Sequence, residues 1–104
     1  MILKDLIQAL EEEYNLNPDY IVKLGFAYPH SYRGFYDALA FELVEHITIS
    51  EMLNEAKSAP GKTFEGYKGG DFLMTEYSEV YLANYGELGE ELGPMLLKFI
   101  LNQI

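Results

Sequence analysis

Two glycine-containing segments carry most of the side chains that could bind a ligand. Residues 27–37 contain the only Arg of the chain, Arg33, together with His30 and three Tyr. Residues 66–71, GYKGGD, place Lys68 beside a pair of glycines. An Arg among aromatic rings can stack on them and grip a phosphate or carboxylate, and glycines let an anion approach backbone N–H groups. The two segments predict a ligand-binding site formed by His30, Tyr32, Arg33, Tyr67, Lys68, Gly69 and Gly70.

The same two segments also have the composition of ordinary turns. Pro29 fixes one φ angle and Gly34 permits a positive one, while a Gly-Gly pair is common at the tip of a hairpin. Neither the Walker spacing nor the dinucleotide-binding glycine pattern is present. A structural turn and a binding loop therefore both remain open for each segment.

A third glycine-containing segment, residues 84–94, leads into the predicted C-terminal helix. It contains three glycines and three acids: Gly86, Gly89, Gly93, Glu87, Glu90 and Glu91. Free N–H groups at a helix start can hold an anion, but acids placed there usually compensate the helix dipole. The acids favour dipole compensation for this segment.

The residues that enzymes use for catalysis do not form a known pattern in this chain. There is no Cys, which excludes thiolate metal sites and cysteine nucleophiles. His30 and His46 lack metal-binding spacing, and Ser31 adjoins His30 without a nucleophile-elbow motif around it. We expect a protein that binds rather than catalyses, with no cofactor and no metal.

The charge of the chain limits its partners. Seventeen acids against seven bases give a net charge of −10, which would repel nucleic acid and anionic membranes. We expect no direct contact with either. The acidic surface serves solubility or faces a basic partner protein.

The N-terminal residues have the pattern of an amphipathic helix rather than that of a signal peptide, so a cytoplasmic location is expected.

Hydrophobic periodicity and turn residues predict one α+β domain over residues 1–104. An apolar helical stripe from Ile2 to Leu10 indicates a first helix ending by Tyr14, where the run of acids opposes the helix dipole. Residues 20–26 and 35–43 are rich in strand-forming residues and predict a hairpin.

The second half of the chain again predicts a helix followed by a pair of strands. Thr48 and Glu51 form a capping box that begins a second helix, which the sequence APG at 59–61 ends. Residues 71–74 and 79–85 predict a second pair of strands, and Pro94 suits the first turn of a final helix. The order is α-β-β-α-β-β-α, with a small antiparallel sheet packed by helices.

The final helix is apolar on nearly all sides, from Met95 to Ile104. Such a helix is either deeply buried or shared with another chain. We expect the protein to form a homo-oligomer through this helix.

Nine tyrosines are many for 104 residues, and six lie in or beside predicted loops: Tyr28, Tyr32, Tyr36, Tyr67, Tyr77 and Tyr85. Tyrosine is enriched at interfaces, because it offers a large rigid contact area with a polar tip. A half-buried sheet rim would use the same residues equally well.

Four phrases taken together resemble a group of small bacteriophage proteins with no established activity: PHSYRGFYDALAFE, TISEMLNEA, GKTFEGYKGGDFLM and ANYGELGEELGP. The resemblance runs from about Leu24 to the C-terminus. It implies a phage accessory protein of the anti-defence kind, acting in the host bacterial cytoplasm, and it assigns no role to any residue.

Two mechanisms are open for such a protein, besides a role as a virion or assembly component. In the first, the glycine- and tyrosine-rich loops capture a small anionic ligand, a phosphate-bearing nucleotide signal. In the second, an acidic anti-CRISPR-like inhibitor occupies the nucleic-acid-binding surface of a host defence nuclease.

Overall fold

Three helices and two sheets make up the computed structural model of the chain, which describes residues 1–103. The helices are α1 (Leu3–Leu16), α2 (Ile49–Ser58) and α3 (Pro94–Leu101). The strands are β1 (Ile21–Tyr32), β2 (Phe35–Thr48), β3 (Thr63–Glu65), β4 (Asp71–Leu73), β5 (Val80–Leu82) and β6 (Glu90–Glu91). The α+β class and the predicted α-β-β-α-β-β-α order are confirmed, with two short strands, β3 and β6, in addition to those predicted between α2 and α3.

The predicted helical stripe and the capping box produce α1 and α2. Leu3, Leu6 and Leu10 are fully buried along one face of α1. At the start of α2, the Thr48 hydroxyl accepts a hydrogen bond from the Glu51 N–H at 3.1 Å, and the Glu51 carboxylate accepts one from the Thr48 N–H at 3.4 Å. These bonds satisfy backbone donors that the helix itself leaves unpaired.

The first helix extends to Leu16, so the predicted end at Tyr14 is wrong. Glu11 pairs with Lys57 of α2 at 3.7 Å, and α1 packs against α2. Burial of the leucine stripe against α2 stabilises α1 more than the adjacent acids destabilise its end, since dipole effects at exposed sites amount to about 0.3–1 kcal/mol.

The β1–β2 hairpin is the longest feature of the sheet and exceeds the strands predicted at 20–26 and 35–43. Val22 lies opposite Ile47 and Phe26 opposite Leu43 in an antiparallel register. The register shifts between Ala27 and His30, where Tyr28 has a φ of +56°. This bulge accommodates Pro29, which has no N–H to donate, on a strand at the edge of the sheet.

The main sheet is mixed rather than wholly antiparallel, with the order β1-β2-β5-β6. The predicted pairing of residues 71–74 with 79–85 is wrong. β4 instead pairs with β3 in a separate two-stranded sheet, and β5 lies parallel to β2 with Leu39 opposite Val80. A tight turn closed by Thr75 and Ser78 redirects the chain between β4 and β5, so these two strands diverge instead of forming a hairpin.

The two faces of the main sheet have different coverings. Phe41 belongs to the main core and packs on Phe26, with ring centroids 5.2 Å apart. Its neighbour Ala40 belongs to a second, smaller cluster. Adjacent strand residues point to opposite faces, so the small cluster lies on the face away from the main core.

The last helix begins with a proline and is held beyond its C-terminal end by Gln103. Pro94 occupies its first turn, as predicted, and Leu97 and Ile100 are buried. Beyond its end, the Gln103 side-chain amide accepts a hydrogen bond from the Leu24 N–H and donates one to the Leu24 carbonyl, both at 2.9 Å. The Tyr20 hydroxyl donates to the Gln103 carbonyl at 3.0 Å. Gln103 therefore occupies backbone groups that an edge strand would otherwise expose.

No helix within residues 1–103 is both long enough and apolar enough to cross a membrane.

Candidate ligand-binding loops

The three glycine-containing segments meet in space, and Arg33 joins them. Arg33 lies in the turn between β1 and β2, and its Nη1 donates a hydrogen bond to the Gly86 carbonyl at 2.8 Å. Its Cζ lies 4.5 Å from the centroid of the Tyr67 ring, which comes from the turn between β3 and β4. One guanidinium thus contacts a carbonyl of the β5–β6 loop and an aromatic ring of a second hairpin.

Two further contacts between aromatic rings extend from Tyr67 across the surface. Tyr67 packs edge-on against Tyr85 with centroids 6.1 Å apart, and Tyr85 meets His30 in the same way at 5.6 Å. His30, Arg33, Tyr67 and Tyr85 are called the loop cluster below. Tyr67 is 43% exposed and Tyr85 is 52% exposed, so the cluster presents aromatic surface to solvent.

Gly86 is required for this arrangement. Its φ of +82° belongs to the left-handed region, and a Cβ added there would lie 3.0 Å from the Tyr67 ring. A side chain at position 86 would strain the backbone and push Tyr67 away from Arg33.

A stacked pair of tyrosines supports the loop cluster from the sheet. The rings of Tyr32 and Tyr81 are nearly parallel, 9° apart in plane and 4.1 Å between centroids. The Tyr32 hydroxyl donates to the Gly89 carbonyl and accepts from the Gly89 N–H, each at 3.3 Å. Small residues complete this second cluster, namely Ala38, Ala40 and Ala83. Tyr32 thereby fixes the same β5–β6 loop that Arg33 contacts.

The surroundings of Tyr81 disfavour ionisation of its hydroxyl. Burial raises the pKa of the Tyr81 hydroxyl above the ordinary tyrosine value, and the negative charge of Glu91 raises it further. Tyr32 and Glu79 act in the same direction with smaller effect. The neutral form of Tyr81 is therefore the one that the folded protein stabilises.

The predicted site residues fall into two groups. His30, Tyr32, Arg33 and Tyr67 are brought together by the contacts described above. Lys68, Gly69 and Gly70 form the exposed tip of the β3–β4 hairpin, where the two glycines have φ of +93° and +84°. These glycines serve the turn, and within residues 1–103 the Lys68 ammonium has no hydrogen bond or ion pair.

The interpretation of the third segment as dipole compensation is wrong. Glu90 and Glu91 form β6 beside β5 and lie outside the last helix. The helix begins at Pro94, and its first turn contains no acid. The segment instead supplies Gly86 and Gly89, whose backbone groups anchor it to Arg33 and Tyr32.

Tyr81 and Tyr85 are missing from the predicted site. The alternation of Val80 and Leu82 with Tyr81 and Ala83 is the signal that could have placed Tyr81 on the face away from the main core. Tyr85 is one of the six tyrosines that the sequence places in or beside loops. Its contact with Tyr67 depends on packing between two segments 18 residues apart, and no local sequence pattern predicts such packing.

The two histidines lie in different parts of the structure. His30 belongs to the loop cluster, whereas His46 is exposed in β2 with a φ of +53°. Within the part of the chain that the structure describes, no group of three or more His, Asp or Glu side chains is arranged to hold a metal ion.

No protein-family model matches the chain, and no curated protein and no solved structure shows significant similarity to it. The resemblance to phage proteins stays a prediction.

Replacing Arg33 with Ala should lower the free energy of unfolding by about 1–2 kcal/mol. The change removes one hydrogen bond, worth about 1 kcal/mol, and one cation–π contact, worth about 0.5–1 kcal/mol. Urea denaturation measures the loss. Lys68→Ala, on the neighbouring hairpin tip, is the matched control and should change stability by no more than about 0.5 kcal/mol. Equal stabilities of the two variants would contradict the joining role of Arg33.

Raising the pH through the alkaline range should destabilise the protein through Tyr81. Because its pKa is higher in the folded than in the unfolded state, this contribution to stability is present below about pH 10 and is lost as pH rises through the folded-state pKa. Tyr81→Phe removes the ionisable hydroxyl. Denaturation series at increasing pH should therefore show a shallower alkaline loss in Tyr81→Phe than in wild type, and parallel curves would refute the effect.

Proposed function

We propose that the protein is a binding protein whose loop cluster captures a phosphate-bearing nucleotide. The observation that carries this proposal is the meeting of three segments in one surface of exposed rings around a single Arg. Base stacking on aromatic side chains is worth about 1–3 kcal/mol per base and tolerates any base, because every base has a π face. A guanidinium beside the rings supplies a partner for the phosphate.

The guanidinium of Arg33 retains donors for such a phosphate. Only its Nη1 bonds to the protein within residues 1–103, and the side chain is exposed. The contacts with Gly86 and Tyr67 hold the guanidinium in place, so less conformational entropy is lost when a ligand binds. Lys68, on the adjoining hairpin tip, adds a second positive charge without a partner in the described residues.

The net negative charge of the protein opposes the binding of an anion at this site. A net charge of −10 repels an anion at long range. Stacking and short hydrogen bonds must therefore supply most of the affinity, and a bare phosphate should bind far more weakly than a nucleotide.

The biological setting of this proposal comes from the phage resemblance. In an infected bacterium, a protein that binds a nucleotide without catalysis would lower the free concentration of a nucleotide signal in the host cytoplasm. Anti-defence activity is therefore the role that we propose for nucleotide capture.

A second candidate function rests on another surface. Exposed Phe35 and Tyr77 line a shallow groove of about 300 Å³ together with Asp37 and Glu79. Aromatic rings beside carboxylates suit the Arg and Lys side chains of a basic protein surface. This groove favours the acidic inhibitor, which would occupy the nucleic-acid-binding surface of a host nuclease.

A thermal-shift screen against linear and cyclic nucleotides tests nucleotide capture. A ligand at 100 times its Kd should stabilise the fold by about 2.7 kcal/mol, a rise of about 10 °C in Tm for a domain of this size. Tyr85→Ala should weaken binding by about 5- to 150-fold, because it removes one stacking surface. Tyr14→Ala, at a tyrosine of similar exposure on α1, should leave affinity unchanged.

Two results would count against nucleotide capture. One is the absence of any nucleotide that raises Tm, and the other is equal loss of affinity in the two tyrosine variants. The acidic inhibitor has a different signature, since its inhibition of a nuclease would weaken steeply with salt and persist in Arg33→Ala.

A further inference from the structure

The outer face of α3 exposes large apolar side chains beside an apolar groove. Met95 is 87% exposed and Phe99 is 72% exposed, and their spacing of four residues places them on one side of the helix. The groove between this helix and the sheet has a volume of about 320 Å³. Its apolar lining, together with Met95, is called the α3 surface below: Leu24, Leu43, Leu82, Leu96, Phe99 and Ile100.

This surface is large enough to form an interface. Leu24 and Leu43 are 39% and 52% exposed at the sheet side of the groove. With Met95 and Phe99 they leave on the order of 500 Å² of apolar area accessible, at roughly 200 Å² for a fully exposed large side chain. Such a patch lies at the upper end for a monomeric protein, and two copies face to face would bury about 1,000 Å², the lower limit for a specific interface.

The distribution of charge favours a second copy of this chain as the occupant. All 17 acids precede Leu92, and Lys98 is the only charged side chain from there to the C-terminus. Two chains of net charge −10 repel each other wherever their acidic surfaces meet. Glu90 lines the groove, but α3 itself carries no acid, so two copies can approach along this helix with little repulsion.

The surface combines exposed side chains with a groove. Phe99 lines the groove and is 72% exposed, and Met95 lies one turn before it on α3. A twofold axis brings these side chains to the groove of the other copy, which is the arrangement that an isologous dimer requires. Gln103 already bonds to the backbone of Leu24, so strand addition at that point of β1 is blocked and the contact must be made by side chains.

We propose that the α3 surface is the interface of a twofold homodimer, in which Phe99 and Met95 of each copy pack into the groove of the other. This interface specifies the contacts of the self-association that the sequence predicts through the last helix. It is independent of nucleotide capture, since it uses none of the loop-cluster residues.

Sedimentation velocity of the full chain at increasing concentration tests the dimer. Wild type should reach a mass of twice 11.9 kDa. Phe99→Glu should weaken association by on the order of 30-fold or more, because it removes a central apolar contact and adds an acid to each side. Phe35→Glu is the matched control, since Phe35 is 61% exposed in a different part of the surface, and this variant should dimerise as wild type does.

Salt adds a second readout that separates a second copy from other occupants. Raising ionic strength should tighten the dimer, because it screens the repulsion between two acidic chains while the apolar contact persists.

A wild-type protein that stays monomeric at about 100 μM, or a Phe99→Glu variant that dimerises like Phe35→Glu, overturns the proposal. A monomer whose groove binds an apolar dye only when Phe99 is intact would assign the surface to another partner. Circular dichroism verifies that each variant is folded.

Discussion

The guanidinium of Arg33 is the point on which the arrangement of the loops depends. It donates to the Gly86 carbonyl and lies over the Tyr67 ring, so it connects the tips of two hairpins with the β5–β6 loop. No other charged side chain in the chain has the planar fork needed to do both, because this is the only Arg. Tyr32, the preceding residue, fixes the same loop through Gly89. Two adjacent residues therefore position a segment more than 50 residues away.

Small residues in the sheet leave room for the stacked rings of Tyr32 and Tyr81. Tyr81 lies beside Ala40 in the parallel register of β2 and β5, and Tyr32 stacks on Tyr81 from the hairpin. A larger side chain at position 40 would occupy the space that the stacked rings use. The Tyr32–Tyr81 pair that supports the loop cluster thus lies outside the main core, whereas the β3–β4 hairpin that carries Tyr67 packs Phe64 and Phe72 against that core.

Local signals in the sequence predicted local structure well. The capping box at Thr48, the leucine stripe of α1 and Pro94 at the start of α3 depend on neighbouring residues only, and each lies where it was predicted. The position of β5 beside β2 was not predictable in this way, because a parallel pairing depends on the whole crossover through α2 and the β3–β4 hairpin. The predicted set accordingly contains the residues of the Arg33 turn but omits Tyr81 and Tyr85, which join them only through that pairing.

A double-mutant cycle between Arg33 and Tyr67 tests the joining of the loops most directly. Urea unfolding of wild type, Arg33→Ala, Tyr67→Ala and the double variant gives the coupling free energy between the two side chains. A stacked guanidinium predicts a coupling of about 0.5–1 kcal/mol. Effects that add within about 0.3 kcal/mol, as expected for distant and independent sites, would mean that the two hairpin tips do not meet in solution.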